Sequence, residues 1–210
     1  MLSGVATPAG LRERKKEKTK NALVDAAVRL FVEQGYEHTT VREITDVVGI
    51  SERTFFRYFV GKDELVLFVV TQATDMFLAE LIAAPTGQPP LPTLRDAFCR
   101  ALCRLPEVWP GMDGGGHYAA IVRLIQSTPS LLHAQLAMMQ RADERFVRAL
   151  AERYGVDPRN DPRPRVLVVT FGGLIGMATE QWRGEGEVTD LIELIHRQVD
   201  AVIPALTGWT

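Results

Sequence analysis

The first regular alternation of apolar and polar positions begins at Thr19. Leu23, Ala26, Ala27, Leu30 and Phe31 recur at the three-and-four spacing of one helix face, and Gly35 stops the pattern. Thr40 then reads as an N-cap, with Glu43 three residues on completing a capping box. The spacing puts Val41, Ile44, Val47 and Val48 on the buried side of this second helix, which Gly49 ends. Ser51 caps a third helix, predicted through Phe59 and stopping near Gly61. A longer pattern over Lys62–Ala83 carries Leu65, Phe68, Val69, Gln72, Met76 and Phe77. Such a helix spans roughly 33 Å, enough to tie a small head to a separate body.

Beyond it, PTGQPPLP at 85–92 is a break. Helical patterns follow at 93–105, 117–127, 130–154, 165–182 and 188–206, separated by the glycine-rich PEVWPGMDGGG (106–116) and the turn GVDPRNDPRP (155–164). Alternating strand patterns and internal repeats are absent, so the expected fold class is all-α. The expected organisation is a flexible basic leader at 1–18, a three-helix head at 19–61, and a helical body at 62–210 with 62–84 as its connecting helix.

The short helices raise a functional question, because neither the second nor the third is long enough to persist alone in water. Joined by VGIS, they make a helix-turn-helix unit. A helix with its side chains fits the DNA major groove, and one short helix suffices to enter it. Ile50, Phe55 and Phe59 would anchor the third helix, leaving Arg53, Thr54, Arg57 and Tyr58 around the anchors. An ordinary three-helix bundle with a tight turn has the same outline. Those four side chains, together with the basic leader, shift the balance toward nucleic acid, although a charged N-terminal tail is also a common solubility device. The chain's net charge is −2, yet LRERKKEKTK (11–20) has six basic and two acidic side chains, a local +4, whereas residues 65–210 have 13 basic and 16 acidic, giving −3. One basic end on a more acidic body suits a molecule that meets phosphate with one end only.

Several classes are set aside by composition. No apolar run approaches the roughly 20 residues needed to cross a bilayer, and the opening MLSGVATPAG lacks a signal-peptide pattern. A cytoplasmic protein without a membrane partner is expected. Cys99 and Cys103 sit four apart on one helical face, where they read as two small buried residues rather than a disulfide. No metal-ligand spacing surrounds them, and GMDGGGH (111–117) lacks the lysine of a phosphate loop. No nucleophile elbow or paired carboxylates emerge. Neither a cofactor, a metal nor an enzymatic activity is expected.

Residues 19–65 resemble the DNA-binding head of TetR-family transcriptional regulators, from AAVRLFVEQGYEHTTVREIT through VVGISERTFFRYFVGKDELV. The match includes Gly35–Tyr36, the threonine and serine ahead of the second and third helices, Thr54, Phe59 and the run at 62–65. ALAERYGVDPRNDPRPRVLVV (149–169) and Trp182 extend the resemblance into the body. The resemblance implies a phosphate contact for Thr54, a backbone contact for Tyr58 and a phosphate contact for Lys62. It places Glu52 and Arg53 at positions that commonly face bases. Thr40, Ser51, Phe56 and Arg57 complete the expected DNA-binding set. Phe56 stands where the family usually has tyrosine; it can press on a thymine methyl or a sugar but offers no hydroxyl.

The same resemblance implies a homodimer on an inverted-repeat operator of double-stranded DNA, with the last two helices pairing into a four-helix bundle. Val166, Val169, Thr170, Gly173, Leu174, Met177 and Ala178 are the candidates on one helix, and Leu191, Ile192, Leu194, Ile195, Val199 and Ile203 on the other. These stripes would equally complete a single chain's core. A small-molecule effector of unknown identity is implied as well. Its candidate lining is Met76, Phe77, Phe98, Trp109, Tyr118, Leu124, Met138, Met139 and Phe146, with His117, Gln135 and Glu180 as polar anchors. Apolar members of this set also suit an ordinary core. The expectation is a ligand-released repressor. An activator of the same architecture, a helical ligand-binding dimer without operator binding, and a helical enzyme using the cavity are the alternatives.

Overall fold

The computed structural model describes residues 8–108, 116–182 and 186–207, and every regular element among them is helical. The helices are α1 (Pro8–Gln34), α2 (Val41–Val48), α3 (Glu52–Phe55), α4 (Lys62–Ala83), α5 (Pro90–Cys103), α6 (Leu105–Val108), α7 (Gly116–Ser127), α8 (Pro129–Tyr154), α9 (Arg163–Trp182) and α10 (Val188–Thr207). The chain forms two compact units that divide between Val69 and Val70, within α4.

In the first unit, α1 begins at Pro8, well before the apolar periodicity at Thr19. Among the described residues the basic segment is helical and continuous with α1. Its residues are mostly Arg, Lys and Glu, good helix formers that carry no apolar stripe to reveal themselves. Leu23, Val24, Ala26, Ala27, Val28 and Phe31 of α1 pack with Ile44, Phe55, Phe59, Leu65 and Val66 in the buried interior of this unit. Val47 is the correction on α2: it is 54% exposed, and Thr45 is buried in its place. The third helix is also shorter than expected. One α-helical turn ends at Phe55, and turns continue the chain, with Tyr58 N donating to Phe55 O at 2.7 Å and Phe59 N at 3.0 Å. Five of the six residues at 54–59 are β-branched or aromatic, a composition of poor helix propensity.

In the second unit, α9 packs on α5, α8 and α10, while α8 also packs on α7 and α10 on α5. The proline-rich break is shorter than expected because α5 starts inside it, at Pro90. Proline is tolerated in a first helical turn, where its missing N–H has no intrahelical partner to lose. Phe77, Phe98, Phe146 and Phe171 form an aromatic cluster, with centroids from 4.5 Å (Phe77–Phe146) to 6.0 Å (Phe98–Phe171). By length and composition alone α4 is apolar enough to cross a bilayer, which the run-length expectation missed. Its Leu65, Val66, Val69, Val70, Phe77, Leu78 and Leu81 are buried within the protein. Its acidic Asp75 and Glu80 are paired with Arg145 and with Arg100 and Arg104.

Candidate nucleic-acid interface

Local hydrogen bonds set the helix-turn-helix. Thr40 caps α2 reciprocally: Glu43 N donates to Thr40 Oγ1 at 3.2 Å, and Thr40 N donates to Glu43 Oε2 at 2.7 Å. The main-chain N–H of Thr40 is the largest cause holding the Glu43 carboxyl below its ordinary range. Gly49 ends α2 in the left-handed region at φ +73°, and Ile50 N then reaches back to Thr45 O at 3.0 Å. A residue with a Cβ would be strained in that conformation, so glycine fixes the turn angle. Ser51 caps α3, its Oγ accepting from Thr54 N at 3.2 Å and lying 2.9 Å from Thr54 Oγ1. Phe55 and Phe59 are buried with ring centroids 5.7 Å apart, so α3 is pinned by one face.

The other face stays open. Thr40, Ser51, Glu52, Arg53, Phe56 and Arg57 are exposed, and Thr54 and Tyr58 are half-buried. Phe56 is 54% exposed, with its ring edge-to-face against the buried Phe55. Arg57 stacks over Tyr58, its guanidinium carbon 5.1 Å from the ring centroid, and donates to the Tyr58 hydroxyl at 3.3 Å. The arrangement is an exposed set of base- and phosphate-compatible groups on an immobilised turn of helix. Lys62 Nζ donates to the main-chain oxygens of Tyr36 and Thr39.

In the body, the expected effector residues are dispersed. Phe77 and Phe146 are buried in the aromatic cluster, and Tyr118 stacks on Trp182 with centroids 6.4 Å apart. Met76, Phe98, Leu124 and Gln135 are half-buried, whereas Met139 and Glu180 are exposed. Trp109 and the side chain of His117 lie outside the described residues. Of the expected set, Met138 alone lines a cleft of about 170 Å³ between α4 and α8, with Thr71, Thr74, Asp75, Arg141, Ala142 and Arg145. The expected pairing stripe also splits. Leu174, Ala178, Leu191, Leu194, Ile195 and Val199 are buried inside the single chain. Val166, Val169, Gly173 and Met177 are exposed on α9, while Thr170, Ile192 and Ile203 are half-buried.

Two family descriptions match this chain: "Bacterial regulatory proteins, tetR family" over residues 23–69 and "MftR C-terminal domain" over residues 88–207. The chain is also 36% identical to the HTH-type transcriptional regulator TcmR of Streptomyces glaucescens, over 94% of this chain and 88% of that one. The chain belongs to the TetR family. The putative mycofactocin biosynthesis transcriptional regulator MftR of Mycobacterium tuberculosis is 26% identical over 90% of this chain and 91% of its own. Among solved structures, the SmeT–triclosan complex has a TM-score of 0.61 at 23% identity, covering 90% of this chain and 91% of that one. A transcriptional regulator from Aquifex aeolicus VF5 has a TM-score of 0.58 at 18% identity, covering 88% and 99%. These structures share the fold. TetR-family membership implies operator DNA binding and homodimerisation, in a family of regulators rather than enzymes.

Sequence reasoning missed several structural residues of this TetR head and body. Thr39, not only Thr40, matters to the α1–α2 turn: it is buried and its Oγ1 donates to Gly35 O at 2.8 Å. Its signal was the paired threonine, of which only the second reads as a cap. Cys103 is exposed while Cys99 is buried, so the two cysteines do not share one environment. Gly172 and Gly176 join Gly173 on the open surface of α9, where a Cβ added at any of the three would meet nothing within 4 Å.

Proposed function

We propose that this TetR-family protein is a homodimeric repressor that binds an inverted-repeat operator in the cytoplasm and is released by a small molecule. The observation that carries the reading is the exposed set Glu52, Arg53, Phe56 and Arg57 on a turn anchored by buried Phe55 and Phe59. Anchoring matters because a base-reading side chain gains specificity only if its helix arrives in a fixed register. Arg53 can donate to both acceptors of a guanine, Thr54 and Tyr58 offer hydroxyls to phosphate, and Phe56 offers a ring to a thymine methyl.

Pairing is supported by α9. Glycine inside a helix costs roughly 0.5–1 kcal/mol relative to alanine, and among the described residues nothing lies within 4 Å of a Cβ built at Gly172, Gly173 or Gly176. Their use is explained if another backbone approaches that face, flanked by the exposed Val166, Val169 and Met177. A two-fold pair of heads reads two half-sites and supplies the selectivity that one short helix lacks. The α4–α8 cleft supplies a place for a small molecule on the helix that continues into the head. Selection of bound duplexes from a random DNA pool tests the proposal. Enrichment of an inverted repeat is the expected result, and recovery of no preferred sequence would overturn it.

A further inference from the structure

The cation at the start of α4 faces protein. Lys62 Nζ donates to Tyr36 O at 2.7 Å and to Thr39 O at 2.8 Å, and lies 4.3 Å from the centroid of the Tyr36 ring. An ammonium has three donors, so two are already spent on carbonyls, and the ring adds a cation–π contact. The next residue, Asp63, accepts from the Tyr36 hydroxyl. Tyr36 is thus held by the first two residues of α4 together.

The second carbonyl matters most. The oxygen of Thr39 and the N–H of Thr40 belong to one peptide unit, and that N–H donates to Glu43 Oε2 at 2.7 Å in the cap of α2. One rigid, planar unit therefore carries the tie to α4 on its oxygen and the cap of α2 on its nitrogen. From α2 the chain passes directly through the left-handed turn at Gly49 to α3. Moving the Lys62 ammonium out to a phosphate would remove the donor from two carbonyls, one of them at the main chain of a buried threonine.

We infer that Lys62 is a positioning residue for DNA binding: it fixes the start of α2, and through it the α3 reading face, against α4 without contacting a phosphate itself. This inference rests on the operator binding proposed above. Salt separates the two roles, because a lysine that neutralises a phosphate contributes about 0.9 to the slope of log K against log salt and a positioning lysine contributes none.

The test compares full-length wild type, Lys62→Met and Lys62→Gln on the inverted-repeat duplex that wild type enriches from the random pool. Dissociation constants are measured from roughly 50 to 200 mM salt, beside thermal melts. Lys62→Met is expected to raise Kd about tenfold with the wild-type slope. Lys62→Gln, which keeps a donor for one carbonyl and is the milder change to folding, should fall between. A slope shallower by about 0.9 in the neutral variants would establish a phosphate contact and overturn the inference. A lower melting temperature with unchanged Kd would overturn it too, reducing Lys62 to a stabilising role. If wild type enriches no duplex, its own binding series shows that operator binding is what failed.

Discussion

Arg53 has no ion-pair partner among the salt bridges of the described residues, and it stands exposed three residues before the equally exposed Phe56. An Arg53→Ala substitution should cost about 1–3 kcal/mol at the base pair it reads and much less on unrelated duplexes. Competition titrations at fixed salt check this; unchanged discrimination would remove Arg53 from base readout. Cys99 and Tyr118 give a second expectation. Burial pushes the Cys99 thiol from 9.0 up to about 12, with Asp96 adding to the shift and Arg95 and Arg100 opposing it. Burial likewise moves the Tyr118 hydroxyl from 10.0 to about 12. Both folded-state values lie above the unfolded ones, so their contribution is complete below about pH 8, where both states are protonated. Above that the unfolded chain releases protons first, and stability is lost progressively toward pH 12. The urea midpoint should fall between about pH 8 and pH 11, and fall less steeply in Cys99→Ala. Sequence spacing put Cys99 and Cys103 on one face; it could not say that Cys103 escapes burial, because that depends on where neighbouring helices end.

At the scale of elements, local hydrogen-bond chemistry was the most legible. The Thr40–Glu43 box, the Gly49 stop and the Ser51 cap all appear where side-chain type and spacing placed them, since each is closed within a few residues of chain. Thr40→Ala should accordingly lower unfolding free energy by about 1 kcal/mol, read as a shift in urea midpoint at unchanged slope. A shift of the same size in a Thr40→Ala, Glu43→Ala double variant would show that the two side chains act as one cap. Features decided by tertiary partners were less legible. Val47 follows the same periodicity as Ile44, yet it is left 54% exposed while Ile44 is buried. The early start of α1 was hidden for the opposite reason: helix propensity alone sustains a polar segment that periodicity cannot detect. The exposed side of α3 was recoverable because Phe55 and Phe59 mark its buried side. The α4–α8 cleft was not, since Met138 meets Thr71 and Asp75 only through tertiary packing, the Thr71 hydroxyl lying 3.1 Å from Met138 Sδ.

For the molecule as a whole, the division of α9 and α10 into buried and exposed residues governs what pairing can mean. Leu174, Leu191, Ile195 and Val199 close the core of one chain, so a protomer has a body of its own without a partner. Val169 at 63% exposure and Met177 at 53% lie outside that core, beside the three open glycines. Replacing both with glutamate should therefore separate the dimer while leaving each protomer folded, because like charges would face each other across a two-fold interface. Sedimentation should report a monomer with an unchanged helical circular dichroism spectrum. That monomer retains every DNA-facing side chain, yet it should bind the inverted repeat only as tightly as a single half-site. Heads held together by the dimer interface convert the second contact into an effectively intramolecular one, and loss of that interface forfeits the gain without altering any contact to DNA. A Val169→Glu, Met177→Glu protein that stays dimeric would move the interface elsewhere on the body. A folded monomer that still binds the full repeat like wild type would show that one head suffices, and would remove symmetry from the mechanism.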